Sequence, residues 1–418
     1  MYFQQKLWPL FFFITCGLAL LISCKTVTPA LVFPEPVDTS DKAITLQDRK
    51  TYHIDGIHAD NQYAGARLND FTKKNDTLYR ASISPENYPI NASAYYSFRI
   101  WSDDERDIDL ELYYTEHEHR YRPKLSYDGK HWVNMSTADF DTLKAPNIAT
   151  LKLQLSADTL WVSGQEVVAS PQIKAWVDER AEHSDVHYSQ IGDSKMGRPM
   201  MHMDIYQDSP EDKDAIVILS RQHPPEVTGY YAMESFVEEI LANTELSRDF
   251  RREFRVLVYP LLNPDGVDEG HWRHNTGGID LNRDWSYYRQ PEVSVVANHV
   301  IQTVDRDNNK VLVGLDFHST QKDLYYTLSE NRKTSVDNFK DYWLEGIDDQ
   351  YAEYSPDDRP FDLNQPITKG WFFLQFGAEG ITYEIGDETP RDFVRGKGRT
   401  AAREMMKLLI LRNSGANK

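Results

Sequence analysis

From Met201 to Arg412 short apolar runs alternate with longer helical patterns, and few architectures accommodate that order. Met201 to Tyr206, Ala215 to Leu219, Phe254 to Tyr259, Val311 to Phe317 and Gly380 to Tyr383 read as strands. Trp371 to Leu374 reads as a further strand-like run. Val227 to Leu241, Pro291 to Asn308 and Arg399 to Arg412 read as helices. Nearly continuous apolar strands must be covered on both faces, and helical connections supply the cover. The expectation is an α/β domain over residues 171–415, an α/β/α sandwich with a largely parallel or mixed sheet. A short helix from Gln172 to Glu182 marks its start.

Before Pro171 the pattern is different. Tyr95 to Trp101, Ile108 to Tyr114, Leu151 to Leu155 and Thr159 to Val162 read as strands, several of them strictly alternating. Tyr127-Asp128-Gly129-Lys130 is a turn signal. Half-buried strands without helices predict an all-β, sandwich-like domain over residues 41–170. The acidic run Ser102 to Asp107 reads as a solvated loop, and its spacing does not support a calcium site. His117, His119 and His131 are scattered and read as surface residues.

The first residues read as a targeting segment. Lys6 precedes an apolar run from Leu7 to Ile22, too short for a stable membrane span and suited to secretion. It ends in Leu21-Ile22-Ser23-Cys24, which resembles the lipobox of bacterial lipoproteins. Residues 1–23 would be the signal peptide, Cys24 the lipidated first residue and 24–40 a tether. The other of the two cysteines, Cys16, lies within the signal, so the mature chain has no disulfide. Lys25 follows Cys24 in place of an inner-membrane retention aspartate. The expected location is the cell envelope, on the outer membrane of a Gram-negative cell. A net charge of -19 over 418 residues argues against nucleic acid as a partner.

Chemistry concentrates at strand ends in the second half. His223-Pro224-Pro225-Glu226 follows one strand, His318 another, and Glu384 a third. Open α/β sheets place their sites there. Two histidines and one carboxylate, His223, His318 and Glu226, leave a fourth position open, as in catalytic zinc sites. Such chemistry also needs a carboxylate to carry a proton, and Glu384 is the candidate. Arg255, Arg273 and Arg283 are cations in the same half of the chain. A hydrolase of C-terminal peptide bonds needs one cation for an oxyanion and one for a terminal carboxylate. Arg255 sits within a strand and reads as a packing or pairing residue.

The motifs resemble those of the M14, carboxypeptidase A-like, zinc carboxypeptidases. They are, in family order, Ile191 to Pro199, His223-Pro224-Pro225-Glu226, Asn263-Pro264-Asp265-Gly266-Val267, Gly278 to Trp285, His318-Ser319 and Tyr383-Glu384. The resemblance implies one zinc held by His223, Glu226 and His318, with Glu384 as general base and acid. It implies Arg273 at the oxyanion and Asn282 with Arg283 at the substrate's terminal carboxylate. It also implies a mixed eight-stranded sheet. The first domain resembles, more weakly, the β-domain of cytosolic-type carboxypeptidases, through Pro89-Ile90-Asn91, Tyr95 to Phe98 and Tyr121 to Lys124.

Two features depart from the digestive members. Pro225 stands where they carry an arginine, which points to the cytosolic-type branch. The family's mobile tyrosine has four candidates here, Tyr325, Tyr326, Tyr351 and Tyr354. Ser355 to Lys369 reads as a loop at the mouth of the site. Lys369 is either a solvated lysine or a pocket cation favouring acidic terminal residues. The leading expectation is a zinc metallocarboxypeptidase acting on peptides. Other readings are a peptidoglycan stem-peptide amidopeptidase acting on muropeptides, a deacylase of N-acyl amino acids, and a non-catalytic peptide-binding module.

Overall fold

The structure is a computed structural model that describes residues 42–329, 332–361, 363 and 365–416. The signal segment, Cys24 and the tether lie outside the described residues. Among the described residues no helix is long and apolar enough to cross a membrane.

Among the described residues eleven strands come first: β1 Thr51–Ile54, β2 Ile57–Asp60, β3 Asp70–Lys73, β4 Leu78–Ile83, β5 Ser97–Ser102, β6 Arg106–Tyr114, β7 Lys124–Ser126, β8 Val133–Asn134, β9 Phe140–Ala145, β10 Ile148–Leu155 and β11 Leu160–Ser163. They form a six-stranded sheet, β1-β2-β5-β11-β7-β8, and a five-stranded sheet, β3-β4-β6-β10-β9. Ile57, Phe98, Ile100 and Val162 of one sheet share a core with Tyr79, Leu110, Leu112 and Leu151 of the other. The alternation of β6 and β10 sends every second side chain inward.

The rest is α1 Ser170–Arg180, β12 Val186–Asp193, β13 Pro199–Ile205, β14 Asp214–Ser220, α2 Val227–Leu241, α3 Glu245–Glu253, β15 Phe254–Tyr259, α4 Pro264–Asp268, α5 Pro291–Arg306, β16 Val311–Thr320, β17 Leu324–Thr327, α6 Phe339–Asp348, β18 Asp358–Pro360, α7 Thr368–Phe376, β19 Glu379–Gly386 and α8 Arg391–Ala416. Its sheet has eight strands in the order β12-β13-β15-β14-β16-β19-β17-β18. The central strands β15, β14, β16 and β19 are parallel, and antiparallel pairs flank them. Ile216 and Ile218 of β14 pack with α2 and α8, whereas Ala215, Val217 and Leu219 pack with α5 and α7. This is the α/β/α layering and the mixed eight-stranded sheet anticipated above.

The topology fixes where a site can form. The strands after β14 go to opposite sides of it, β15 to one and β16 to the other. That switch opens a crevice at the carboxyl ends of the central strands.

Two readings need correction. Trp371 to Leu374 is helical, within α7. A short apolar run cannot be assigned by periodicity alone. Here Gly377, in the left-handed region at φ 67, stops a helix whose Trp371 and Phe372 are buried. His318 and Glu384 lie inside their strands, because β16 and β19 stay paired as far as Thr320 and Gly386.

Candidate active site

The first motif sits where β14 ends. Arg221 takes a left-handed backbone (φ 58), and its Nη2 donates to the Pro224 carbonyl at 2.7 Å, bracing the turn. Glu226 is the residue from which α2 starts. That helix lies close against β16: a Cβ on Gly229 would stand 2.4 Å from the His318 carbonyl oxygen. Helix and strand thereby bring Glu226 to His318.

His223, Glu226 and His318 are buried, and one ligating atom from each lies within 4.8 Å of the others. His223 Nδ1 is 2.8 Å from Glu226 Oε1, and His318 Nδ1 is 2.7 Å from Glu226 Oε2. The two Nδ1 atoms are 3.1 Å apart. The distal nitrogens face carboxylates, His223 Nε2 to Asp280 Oδ1 at 2.9 Å and His318 Nε2 to Asp316 Oδ2 at 2.7 Å. Burial works against the Glu226 charge, but the two imidazoles hold its carboxyl below the usual range. Burial likewise opposes the His318 cation, and Asp316 with Glu226 outweighs it, raising the imidazole well above its ordinary range.

Glu384 is the register partner of His318 across β16 and β19. Its Oε2 is buried with no hydrogen-bond partner. Burial pushes its carboxyl up to about 7, with Glu226 adding to the rise and His318, His223 and Arg273 opposing it. Arg273 Nε donates to Asp280 Oδ2 at 2.7 Å. Burial disfavours the guanidinium charge, but Asp280, Glu226 and Glu384 raise its pKa. Asp280 therefore orients both a candidate ligand, His223, and the candidate oxyanion cation.

All seven residues expected at the site line one cavity of about 600 Å³. Asn282 and Arg283 differ in availability. The Asn282 amide oxygen accepts from Thr368 N and Oγ1, both at 2.9 Å, and its nitrogen faces His318 Nε2 at 3.3 Å. Arg283 donates to the Asn282 carbonyl through Nη1 at 2.8 Å, and its partly exposed side chain borders the cavity.

Other expectations change. His117 is not simply a surface residue: it lines the cavity, its Nε2 2.6 Å from the Ile90 carbonyl. His119 packs beside Tyr114, whose hydroxyl meets its Nδ1 at 2.8 Å, and burial drives its imidazole down to about 4. His131 is exposed, as expected. Lys369 is neither solvated nor a cavity residue; it is fully buried, and its Nζ donates to the Thr327 and Phe361 carbonyls. Of the four tyrosines, Tyr326 borders the cavity. Tyr325 is buried, and Tyr351 and Tyr354 pack on Phe393. Arg255 is a buried pairing residue, bonded to Asp204 and Asp307. Phe361, Gln365 and Ile367, from the stretch expected at the mouth, line the cavity.

Several contributors were not singled out from the sequence. Asp316 stands two residues before His318, on the same face of β16, so strand periodicity would have found it. Asp280 was present in a motif without a role. Ile90 to Ser93 and Arg120 reach the cavity from the β-sandwich; Pro89-Ile90-Asn91 carried a resemblance, but no local pattern signals that it, Ala92, Ser93 or Arg120 borders the site. Arg120 is held by Asp387 at 2.9 Å, across the two regions.

Residues 173–363 match the family model of the zinc carboxypeptidases, peptidase M14. An uncharacterised protein of Zymomonas mobilis is 27% identical over 219 residues, 49% of this chain and 55% of its own length. Human cytosolic carboxypeptidase 2 is 32% identical over 139 residues, 32% of this chain and 14% of that protein. The chain thus spans about half of the first relative and a small part of the second. Among solved structures, a metallo-carboxypeptidase from Burkholderia cenocepacia superposes with a TM-score of 0.71 at 14% identity, covering 85% of this chain and 99% of that one. A metallo-carboxypeptidase from Pseudomonas aeruginosa, in complex with (2-guanidinoethylmercapto)succinic acid, gives 0.67 at 16% identity, covering 84% and 98%. At these identities the likeness concerns the fold, and its coverage extends beyond the α/β region into the β-sandwich. Residues 173–363 thus resemble the zinc carboxypeptidases, a stretch of the chain is similar to the cytosolic carboxypeptidases, and the fold is shared with the two metallo-carboxypeptidases.

Proposed function

We propose that the chain is a zinc-dependent metallocarboxypeptidase that releases the C-terminal residue of peptides. The observation that carries this reading is the convergence of His223, Glu226 and His318 on one cavity with Glu384, Arg273 and Arg283 around it. The donor set fits zinc. Two buried imidazoles present Nδ1 to the same carboxylate, and each distal nitrogen is engaged by an aspartate, as supporting partners of metal-bound histidines are. His223, Glu226 and His318 would hold the ion, which when bound supplies Lewis acidity towards a carbonyl and lowers the pKa of water.

The chain's own residues supply the rest. Arg283 pairs with the substrate's terminal carboxylate, for which a guanidinium fork is suited. Asn282 joins it once its amide is released from Thr368. Arg273, oriented by Asp280, donates to the scissile carbonyl oxygen as negative charge develops there. Glu384 takes the proton of the attacking water and returns it to the leaving nitrogen.

Peptides with free and with amidated C-termini, followed by mass spectrometry, test the reading. Stepwise loss of single residues from the free-ended peptides alone is expected. Equal attack on amidated peptides, or internal fragments, would refute it. The proposal includes a lipid anchor at Cys24 and an outer-membrane location, supported by the sequence of residues 1–40. Loss of the protein from the membrane fraction in a Cys24→Ala variant checks this; unchanged recovery would contradict it.

A further inference from the structure

Arg273 is held from outside its own region. It belongs to a loop between α4 and α5 that has no regular strand or helix before Leu281. Its internal bonds gather on Asn275, which takes the N–H groups of Gly277, Gly278 and Ile279, and leave the N–H groups of Trp272 to His274 to an acceptor from outside the loop. The residue before it, Trp272, is fully buried, and it packs in the core of the β-sandwich rather than in either core of the α/β region. Its ring meets Tyr114 edge to face, centroids 6.4 Å apart. The loop backbone is gripped at the same place. Glu86 of the β-sandwich region is fully buried, and its carboxylate accepts three consecutive backbone N–H groups. Trp272 N is 2.8 Å from Oε2; Arg273 N and His274 N are 2.9 and 2.6 Å from Oε1. The neighbouring Asn87 takes the same loop by two more contacts, Oδ1 to His274 Nδ1 at 2.6 Å and Nδ2 to the Gly278 carbonyl at 3.1 Å.

We infer that Glu86 is a positioning residue for the reaction, fixing the backbone of Trp272 to His274 so that Arg273 reaches the substrate oxygen. The inference rests on the role given to Arg273 above. Three adjacent N–H groups pointing at one carboxylate define the orientation of the loop better than a single bond does, because all three must be satisfied at once. Glu86 is fully buried, so replacing its carboxylate leaves these three donors short of a charged acceptor. The consequence passes to a side chain already described: Glu86 sets the Arg273 backbone, and the Arg273 guanidinium meets Asp280. The β-sandwich is then part of the catalytic apparatus without supplying the reacting groups.

The full chain carrying E86Q tests this. Glutamine is isosteric, but its NH2 group turns a donor towards one of the three N–H groups. A displaced oxyanion donor should lower kcat by about tenfold to a hundredfold. KM for a free-ended peptide and zinc content should remain within about twofold of wild type, since Arg283 and the candidate ligands are untouched. The decisive comparison is a double-mutant cycle with Arg273→Ala. If Glu86 acts through Arg273, E86Q/R273A is no slower than R273A. A full additional loss in that background, or unchanged kcat in E86Q, overturns the inference. Should E86Q not fold, E86D takes its place in the same cycle, with the same two outcomes deciding. If R273A itself turns over like wild type, the role of Arg273 under the proposed function fails, and this inference with it. If R273A is impaired and the Glu86 variant is not, only the inference fails.

Discussion

The two walls of the cavity are held in place by different physics. On the α/β side, positions follow from backbone pairing. His318 and Glu384 are opposite each other in the β16–β19 ladder, and His223 and Glu226 flank the turn from β14 into α2. On the β-sandwich side, Ile90 to Ser93, His117 and Arg120 reach the cavity through loops and long-range contacts. A ladder fixes its residues by regular hydrogen bonding along the strand. The second wall is joined to the first by long-range side-chain contacts instead, among them Arg120 on Asp387, Trp272 in the sandwich core and Glu86 on the loop before α5. The groups proposed to carry chemistry belong to the α/β side, and on the proposal above the β-sandwich positions one of them, Arg273.

That contrast can be broken most directly at Trp272. Removing a fully buried indole should destabilise the protein by about 3–5 kcal/mol, read from thermal unfolding of Trp272→Ala. Because the side chain belongs to the sandwich core, the loss should appear in the unfolding of the β-sandwich as well as in turnover. Unchanged unfolding would mean that the two regions are not joined there. Arg283→Ala probes the first wall alone. It should raise KM for free-ended peptides by about tenfold to a hundredfold, the value of a charge-assisted hydrogen-bonded pair, and leave the unfolding midpoint in place. A shift in the midpoint without a shift in KM would move Arg283 from substrate binding to structure.

The smallest effect is one of pH, and it is confined to the α/β region. Glu379 opens β19; burial pushes its carboxyl up to about 7, and Thr334 and Lys340 work against that. Between the ordinary carboxyl range and about 7 the folded chain holds a proton here that the unfolded chain has released. Its contribution to stability is therefore present at acid pH and is lost as pH rises through 7. Glu379→Gln removes the dependence. The variant should be more stable than wild type at pH 8 by on the order of 1–2 kcal/mol, and the gap should close near pH 4. Parallel profiles for the two proteins would contradict this.

The same contrast explains what could be read without coordinates. The alternation from Met201 onward specified a layered α/β domain, since runs such as Ala215 to Leu219 have no solvent-facing side. His223, Glu226, His318 and Glu384 were legible because each stands at a strand end of that pattern. The ends themselves were placed three residues early, at Phe317 and Tyr383, where tertiary pairing between β16 and β19 sustains both strands to Thr320 and Gly386. Trp371 to Leu374 misled because a short aromatic run fits a strand or a helix equally well. His117 and Glu86 were beyond reach for another reason. Their significance arises from contacts with residues far along the chain, and their neighbours in sequence carry no trace of it. Lys369 shows the reverse error, a charge read as solvated or as a pocket cation that the fold buries against two carbonyls.

The central claim is that His223, Glu226 and His318 form a catalytic zinc site served by Glu384. Zinc content per chain, measured by elemental analysis alongside peptide hydrolysis, tests it most directly. The account predicts about one zinc in the wild type, its loss together with activity in His318→Ala, and full zinc with turnover lowered by about 10²–10⁴ in Glu384→Gln. A wild type that hydrolyses peptides without bound metal, or a Glu384→Gln variant as active as wild type, would contradict it.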